Sequence, residues 1–291
     1  MAGEFTGLTD AEWAVIEPFL PEQPEKPGKG RPHAFFRDIL NTILWVLITG
    51  ARWIDVPKGK GFGARSTSHR WLGIWTTDGI WAKLKALLMG QAHELGLIDW
   101  SRSSVDGSFV AGKGGGEDVQ YGFKGKGVTL HALVDGNGLP LSVISTGAAE
   151  SERAQVEPLI DQTELITGKP GRPRKRPDAI QGDKGYDSRG LRNLIRQRGI
   201  TPMIPRRSWQ NRKPPKGRPP NKPIDRWKVE RTFAWLQRKY RRLVVRWERR
   251  NKYWAGFVTF AVCLLWANCL TGFLGWANGY QISKFLVFFR K

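Results

Sequence analysis

The sequence is poor in the residues that hold disulfide-rich or zinc-bound folds together. Its 291 residues include two cysteines and four histidines, which excludes a disulfide scaffold and a zinc framework and is typical of a reducing cytosol. Acidic residues are also few, since 26 Asp and Glu stand against 47 Lys and Arg. The N-terminus lacks the basic and then apolar pattern of a signal peptide. The net charge of +21 favours nucleic acid as the partner, with an acidic membrane surface as the rival.

One long stretch lacks charge altogether. Residues 253–283 contain no Asp, Glu, Lys or Arg, and a stretch of this length could cross a bilayer. Asn268, Asn278, Gln281 and several glycines dilute it, so its hydropathy favours a buried helix that closes the core of a soluble domain. We therefore expect a packed helix over residues 253–274 and no membrane partner. A membrane-attached basic protein is the alternative that this stretch leaves open.

The first hundred residues have helical periodicity. The predicted helices are one capped by Thr9 or Asp10, one over residues 35–47 that Gly50 ends, one near 66–75 and one near 80–95. A helix, a glycine-bearing connection and a basic helix form a loose helix-turn-helix pattern, in which Arg65, His69 and Arg70 would read the major groove. The connection is longer than in a tight helix-turn-helix, so a plain helical bundle fits equally well.

After Trp100 the periodicity becomes that of an α/β protein. Strands are predicted near residues 103–106, 128–134, 139–146, 179–183 and 200–204, with helices over 152–166, from 187 or 188 to 199, and beyond 225. Three strands in a meander, then helix, strand, helix, strand and helix, is the order of an RNase H-like fold. The predicted domains are an all-α helix-turn-helix-like domain (1–100), an RNase H-like domain with a five-stranded mixed sheet (101–252), and a C-terminal apolar helix and tail (253–291).

Glu230 lies in the most basic part of the chain. From Arg206 to Lys252 there are 18 Lys and Arg and only three acids. A carboxylate in such a field is either an ion-pair partner, here for Arg226 or Arg231, or a ligand for a more strongly charged group such as a divalent metal ion.

Two aspartates fall where strands are predicted to end. Asp106 and Asp183 would lie at the carboxyl edge of the sheet, and the helix that carries Glu230 could pack against that edge. Three carboxylates from separate elements suit Mg²⁺ or Mn²⁺. Two such ions about 4 Å apart activate an attacking oxygen and stabilise a leaving oxygen in phosphodiester chemistry. Taken singly, Asp106 could instead form a turn and Asp183 could cap a helix.

Three motifs in series carry a resemblance to a known family. They are Val105-Asp-Gly-Ser, Gly182-Asp-Lys-Gly-Tyr-Asp-Ser and Arg226-Trp-Lys-Val-Glu-Arg-Thr-Phe-Ala-Trp-Leu. Their order, with 77 residues from the first acid to the second and 47 from the second to the third, resembles the DDE transposases of the IS4/IS5 insertion-sequence group, IS5 family. The resemblance covers roughly residues 8–270.

The resemblance implies both an activity and a site. Asp106, Asp183 and Glu230 would be the catalytic acids and would hold two Mg²⁺ or Mn²⁺ ions, with Asp106 between the ions. The enzyme would cut at the terminal inverted repeats of a bacterial insertion sequence and join the 3′-hydroxyl ends to target DNA. Double-stranded DNA is then the partner, and the synaptic complex contains at least a dimer. The protein would be cytoplasmic and associated with the bacterial nucleoid. A catalytically silent DNA-binding regulator or remnant is the alternative.

Two positions depart from the family pattern. Pro223 stands where the family has Tyr, and Gln237 stands where it has Lys. We expect Arg238 to take over the phosphate contact of that lysine. Other assignments are structural: Asp187 as a helix cap, His131 as a core residue and Asp135 as part of a turn.

The motif Gly-Arg-Pro occurs three times, each time near other cations, at residues 30–32, 171–173 and 217–219. An extended Gly-Arg-Pro can lie in a narrow minor groove, although solvated basic loops are the simpler interpretation. The residues expected to contact DNA are therefore Arg65, His69, Arg70, Arg172, Arg174, Lys184, Arg212, Lys213, Lys216, Arg226, Arg231 and Arg238.

Overall fold

The structure is a computed structural model that describes residues 5, 7–23, 34–171, 173–207 and 227–272. The first and third Gly-Arg-Pro motifs and the tail from residue 273 onward lie outside these residues.

The described residues of the N-terminal part form four α-helices. They are α1 (Asp10–Ile16), α2 (Phe36–Thr49), α3 (Arg65–Thr77) and α4 (Ile80–Glu94). Thr9 and Glu12 cap α1 reciprocally, because the Thr9 hydroxyl accepts from the Glu12 amide at 3.2 Å while the Glu12 carboxylate accepts from the Thr9 amide at 2.9 Å. Gly50 ends α2 with a φ of 70°, a conformation that glycine adopts at little cost. The helices and both caps are confirmed.

The sheet has the predicted RNase H-like strand order. Its strands are β1 (Ser103–Ala111), β2 (Gln120–Gly122), β3 (Gly125–Val134), β4 (Pro140–Gly147), β5 (Ala179–Gln181) and β6 (Thr201–Met203). The order is β4-β3-β1-β5-β6, in which β4, β3 and β1 are antiparallel and β1, β5 and β6 are parallel.

Two predictions about the sheet were wrong. Within the described residues the sheet has six strands rather than five, because β2, where no strand was predicted, pairs with the start of β3. β1 does not end near Asp106 but continues to Ala111, since Gly107 pairs with His131 on β3 instead of breaking the strand.

The remaining helices are α5 (Val156–Asp161), α6 (Arg189–Gln197), α7 (Trp227–Lys239) and α8 (Asn251–Leu270). The helix predicted over residues 152–166 is a 3₁₀ turn followed by the short α5. α7 ends before Tyr240, whose φ of −113° and ψ of 83° leave the helical region. Beyond this point Trp247 is 50% exposed.

Side-chain hydrogen bonds show which helices cover which face of the sheet. Ser142 on β4 donates to the Leu159 carbonyl of α5 at 2.7 Å, and Ser145 on β4 accepts from the Trp254 indole of α8 at 3.0 Å. Residues an odd number apart on a strand point to opposite faces. α5 and α8 therefore cover opposite faces.

α8 fills the space between the N-terminal helices and the sheet. It packs against α3, α4 and β4, and its Trp266 indole donates to the Pro140 carbonyl at 2.8 Å. Within the described ranges it is the one helix long and apolar enough to cross a membrane, yet 78% of that apolar window is buried inside the protein. A core helix explains its composition, as predicted.

Candidate active site

Asp106 lies in the middle of β1, opposite Ala132 of β3. Its Oδ1 accepts from the Gly107 amide at 2.8 Å, and the side chain is half-buried. The preceding residue, Val105, is 1% exposed and points to the opposite face. The apolar neighbour thus fixes the strand in the core while the carboxylate faces outward.

Asp183 follows β5 and is level with Asp106. β1 and β5 pair in parallel, with Ser103 opposite Ile180 and Ser104 opposite Gln181. Two residues further along each strand the same register sets Asp106 beside Asp183. Neighbouring strands are spaced about 4.8 Å apart. Asp183 Oδ1 accepts from the Gly185 amide at 2.7 Å, so the carboxylate is oriented by the turn that follows it.

Glu230 lies in the first turn of α7, and its side chain is exposed. Further along α7, Gln237 Nε2 donates to Ser108 Oγ on β1 at 3.2 Å. Ser108 shares a strand face with Asp106, two residues away. Glu230 precedes Gln237 by about two helical turns, or roughly 10.5 Å, and so lies on the same side of the helix. α7 therefore presents Glu230 toward the face that carries Asp106.

The turn between β3 and β4 holds the start of α7. Three side chains of α7 donate to three successive carbonyls of this turn: Lys228 to Gly136 at 2.5 Å, Arg231 to Asn137 at 2.6 Å and Thr232 to Gly138 at 2.5 Å. The turn is itself fixed by Asp135, which is fully buried and accepts from the backbone amides of Asp99, Asn137 and Leu139. The structural role expected for Asp135 is confirmed.

A buried tyrosine and a further acid lie behind the two aspartates. Burial raises the pKa of Tyr186, and the negative charges of Glu152, Asp106 and Asp183 raise it further. A Cβ on Gly107 would lie 3.2 Å from Glu152 Oε1, which places the Glu152 carboxylate against the strand beside Asp106. No sequence motif marks Glu152, because only the tertiary contact of the Glu152–Gln155 turn with the Lys184–Tyr186 turn brings it there.

The donor set fits a hard divalent ion, but the three acids are not gathered around one point. Carboxylate oxygens are the ligands that Mg²⁺ and Mn²⁺ prefer, and Asp106 and Asp183 lie side by side. Among the described residues, however, no group of three His, Cys, Asp or Glu side chains is close enough to hold a metal ion. The structure thus positions two acids together and the third on the helix across from them.

The cations expected to read DNA lie on α3. Arg65 and Arg70 are exposed on this helix. His69 is half-buried, with its ring 4.0 Å from the Tyr253 ring and 5.1 Å from the Trp53 ring, measured between centroids. Burial and the charges of three nearby cations lower the pKa of His69. Its imidazole is part of an aromatic stack that joins α3 to α8.

The cations expected near the acids have different surroundings. Lys184 and Arg238 are exposed. Arg174 pairs with Asp178 at 2.5 Å. The Arg231 guanidinium lies 4.7 Å from the Trp227 ring and 4.5 Å from the Trp235 ring. The other five, Arg172, Arg212, Lys213, Lys216 and Arg226, lie outside the described residues.

The two smaller assignments had different outcomes. His131 is fully buried and its Nε2 lies 2.8 Å from Thr146 Oγ1, so its core role is confirmed. Asp187 is not the cap of α6; Ser188 is the cap. Asp187 instead accepts from Arg192, with which it forms a mostly buried ion pair at 2.8 Å.

Residues 90–266 match the family described as "Transposase DDE domain". The chain belongs to the DDE transposase family, and this family generally uses divalent metal ions. Residues 8–85 match a second family, described as "Putative transposase of IS4/5 family". The two matches together place the chain in the IS4/IS5 group, as the three motifs predicted.

The chain is also similar to curated proteins of insertion elements. It is 41% identical over 140 residues to the "Putative transposase for insertion sequence element IS402" of Burkholderia cepacia, a match that covers 48% of this chain and 63% of that protein. It is 39% identical over 116 residues to an uncharacterized 16.2 kDa protein of the same element and organism, over 38% of this chain and 78% of that protein. The chain thus spans less than two thirds of the first relative's length.

Among solved structures, the chain resembles the cryo-EM structure of the piggyBac transposase synaptic complex with hairpin DNA. The TM-score is 0.42 at 11% identity, over 97% of this chain and 77% of that chain. Such a score is too low to define a shared fold, so the RNase H-like assignment depends on the strand order and the family match.

Proposed function

We propose that this protein is the DNA transposase of a bacterial insertion sequence. It cuts at the terminal inverted repeats of the element and joins the freed 3′-hydroxyl ends to target DNA. The observation that carries this proposal is the parallel register that sets Asp106 beside Asp183, below the helix that presents Glu230. The membership of the chain in the DDE transposase family supports it.

The three acids are the proposed ligands of two divalent ions, Mg²⁺ or Mn²⁺. When bound, such ions supply Lewis-acid activation of the attacking oxygen and stabilisation of the leaving oxygen. β1 and the turn after β5 hold the two aspartates, whose carboxylates accept from the amides of Gly107 and Gly185. Glu230, in the first turn of α7, is the proposed third ligand.

The proposed partner is double-stranded DNA, both element ends and target. Arg65 and Arg70 on α3 would read the ends, while Lys184 and Arg238, exposed near the acids, would hold phosphates without sequence preference. Two ends must be brought together, so the active form is at least a dimer. We place the protein in the cytoplasm with the nucleoid.

A plasmid excision assay tests the proposal. A donor carrying the inverted repeats that flank this reading frame is incubated with the protein and Mg²⁺, and cut ends and joined products are measured. We expect Asp106→Asn and Asp183→Asn to abolish both products while leaving DNA binding intact, because each removes a charged ligand. Asp78→Asn, at an exposed acid after α3, is the matched control and should remain active. Specific binding by the wild type without any cutting would instead support the regulator alternative.

A further inference from the structure

A β-hairpin carries two aromatic rings into solvent. The aromatic hairpin, residues 120–127, consists of β2, the turn Phe123-Lys124 and the start of β3. Phe123 is 104% exposed and Tyr121 is 77% exposed. Single exposed apolar residues are ordinary, but two aromatic rings at one protruding tip mark a surface that another molecule covers.

The backbone holds this hairpin close to the rest of the sheet. A Cβ on Gly122 would lie 2.2 Å from the Ala148 carbonyl oxygen, and one on Gly127 would lie 2.2 Å from the Val110 carbonyl oxygen. Gly125 has a φ of 112°, which glycine adopts readily and other residues rarely do. The base of the hairpin is therefore fixed by close backbone approach, and the tip is presented at a defined place.

The charge around the tip selects the partner. Residues 119–134 contain Lys124 and Lys126 and no acid. Lys126 Nζ lies 5.7 Å from the centre of the Tyr121 ring. Two acids, Glu117 and Asp118, precede the hairpin, and the Glu117 carboxylate accepts from the Asn251 amide at 2.7 Å. A convex aromatic tip flanked by ammonium groups suits a polyanion that also offers flat apolar faces.

We propose that the aromatic hairpin is a DNA-contacting element in which Phe123 stacks on a base while Lys124 and Lys126 pair with the adjoining phosphates. This inference rests on the proposed function, since it adds a second contact to the same DNA. The antiparallel register places Asp106 opposite Ala132. Lys124 precedes Ala132 by eight residues, so the tip lies about 27 Å from the acids along the strand. This distance equals about eight base pairs of duplex, and one bound DNA can reach both places.

Binding of full-length protein to a fluorescent duplex of random sequence that ends in a short single-stranded overhang, measured by anisotropy at several salt concentrations, tests this role. We expect Phe123→Ala to weaken binding by roughly five- to 100-fold, the usual worth of one base stack, with an unchanged salt dependence. The Phe123→Trp variant should bind as tightly as the wild type. Lys124→Ala should reduce the salt slope by about 0.9. The matched control is Phe35→Ala, which removes a 69% exposed phenylalanine at the start of α2 and should bind like the wild type.

The outcomes separate this inference from the function on which it rests. Wild-type protein that does not bind DNA at all would overturn the proposed function and the inference together. Normal binding by Phe123→Ala, when the wild type binds, would overturn the inference alone. If Phe123→Ala instead lost self-association in sedimentation while its DNA affinity stayed unchanged, the tip would be a contact between two copies of this chain. Thermal unfolding of Phe123→Ala should match the wild type, since the ring is fully exposed.

Discussion

α7 and α8 both pack against the sheet, yet their surfaces differ completely. α7 buries Val229 and Leu236 on one side and exposes Glu230 and Arg238 on another. In α8, every residue from Trp254 to Cys269 is buried or half-buried. The difference follows from what covers each helix, because α8 is enclosed by α3, α4 and β4 while α7 keeps one side in solvent. A 20-residue helix with a single charged residue, Lys252, is thus a core element here, and the amphipathic α7 carries the proposed ligand Glu230.

The largest expected effect is on activity and comes from α7. Glu230→Gln should reduce DNA cleavage with Mg²⁺ by roughly a thousandfold, because it removes a charged ligand of the metal site. Its melting temperature should match that of the wild type, since the side chain is exposed. Cleavage at a near-normal rate would show that Glu230 is not a ligand.

The corresponding change in α8 should act on stability. Phe257 is fully buried, with its ring 5.9 Å from that of Trp53, and Phe257→Ala should lower the free energy of unfolding by about 3–5 kcal/mol. Lys252→Ala, at an exposed position on the same helix, should change it by less than about 0.5 kcal/mol. Urea unfolding measures both. Wild-type protein that resists carbonate extraction from membranes would contradict the interpretation of α8 as a core helix.

The stability of the protein should depend on pH through His131, which lies on the face of the sheet opposite α8. Burial lowers the pKa of His131 to about 4, whereas an unfolded histidine titrates near 6.5. Below pH 6.5 the unfolded chain binds a proton that the folded protein does not, so stability falls as the pH drops from about 6.5 to about 4. The loss at pH 5.5 relative to pH 7.5 should be about 1.4 kcal/mol smaller in His131→Asn than in the wild type. Equal losses in both proteins would show that His131 titrates normally.

The smallest expected effect concerns the contact that docks α7. Gln237→Ala removes the hydrogen bond to Ser108 and should cost about 0.5–1.5 kcal/mol. Ser108→Ala should cost a similar amount, and the double variant little more, as a double-mutant cycle would show. Cleavage should fall much less than in Glu230→Gln. Strict additivity of the two changes would mean that the contact does not position the helix.

Local rules predicted the parts of the fold that local chemistry decides. Thr9 and Gly50 mark helix ends because a hydroxyl cap and a left-handed glycine act within one turn. The alternation of apolar residues predicted β3 and β4, and their order with the helices indicated the RNase H-like topology. The proposed catalytic acids came from motif order, and the register of β1 with β5 sets two of them, Asp106 and Asp183, side by side.

Tertiary contacts decided what the sequence could not show. β2 has only three residues, Gln-Tyr-Gly, too few to show an alternation, and Gly107 inside β1 resembles a strand end. α7 ends at Lys239 with no glycine or proline to mark the place. Likewise, the approach of Glu152 to Gly107 joins parts of the chain that are far apart in sequence.

α8 joins a late segment of the chain to the early helices α3 and α4. Residues 251–270 complete the core of helices encoded some two hundred codons earlier, and the crossing is tight: a Cβ on Gly256 would lie 2.4 Å from Thr76 Oγ1. If the first hundred residues were exchanged between related insertion elements, α8 would therefore pack against helices of a different sequence. We expect such hybrids to fold only when residues 1–100 and residues 251–270 come from the same parent.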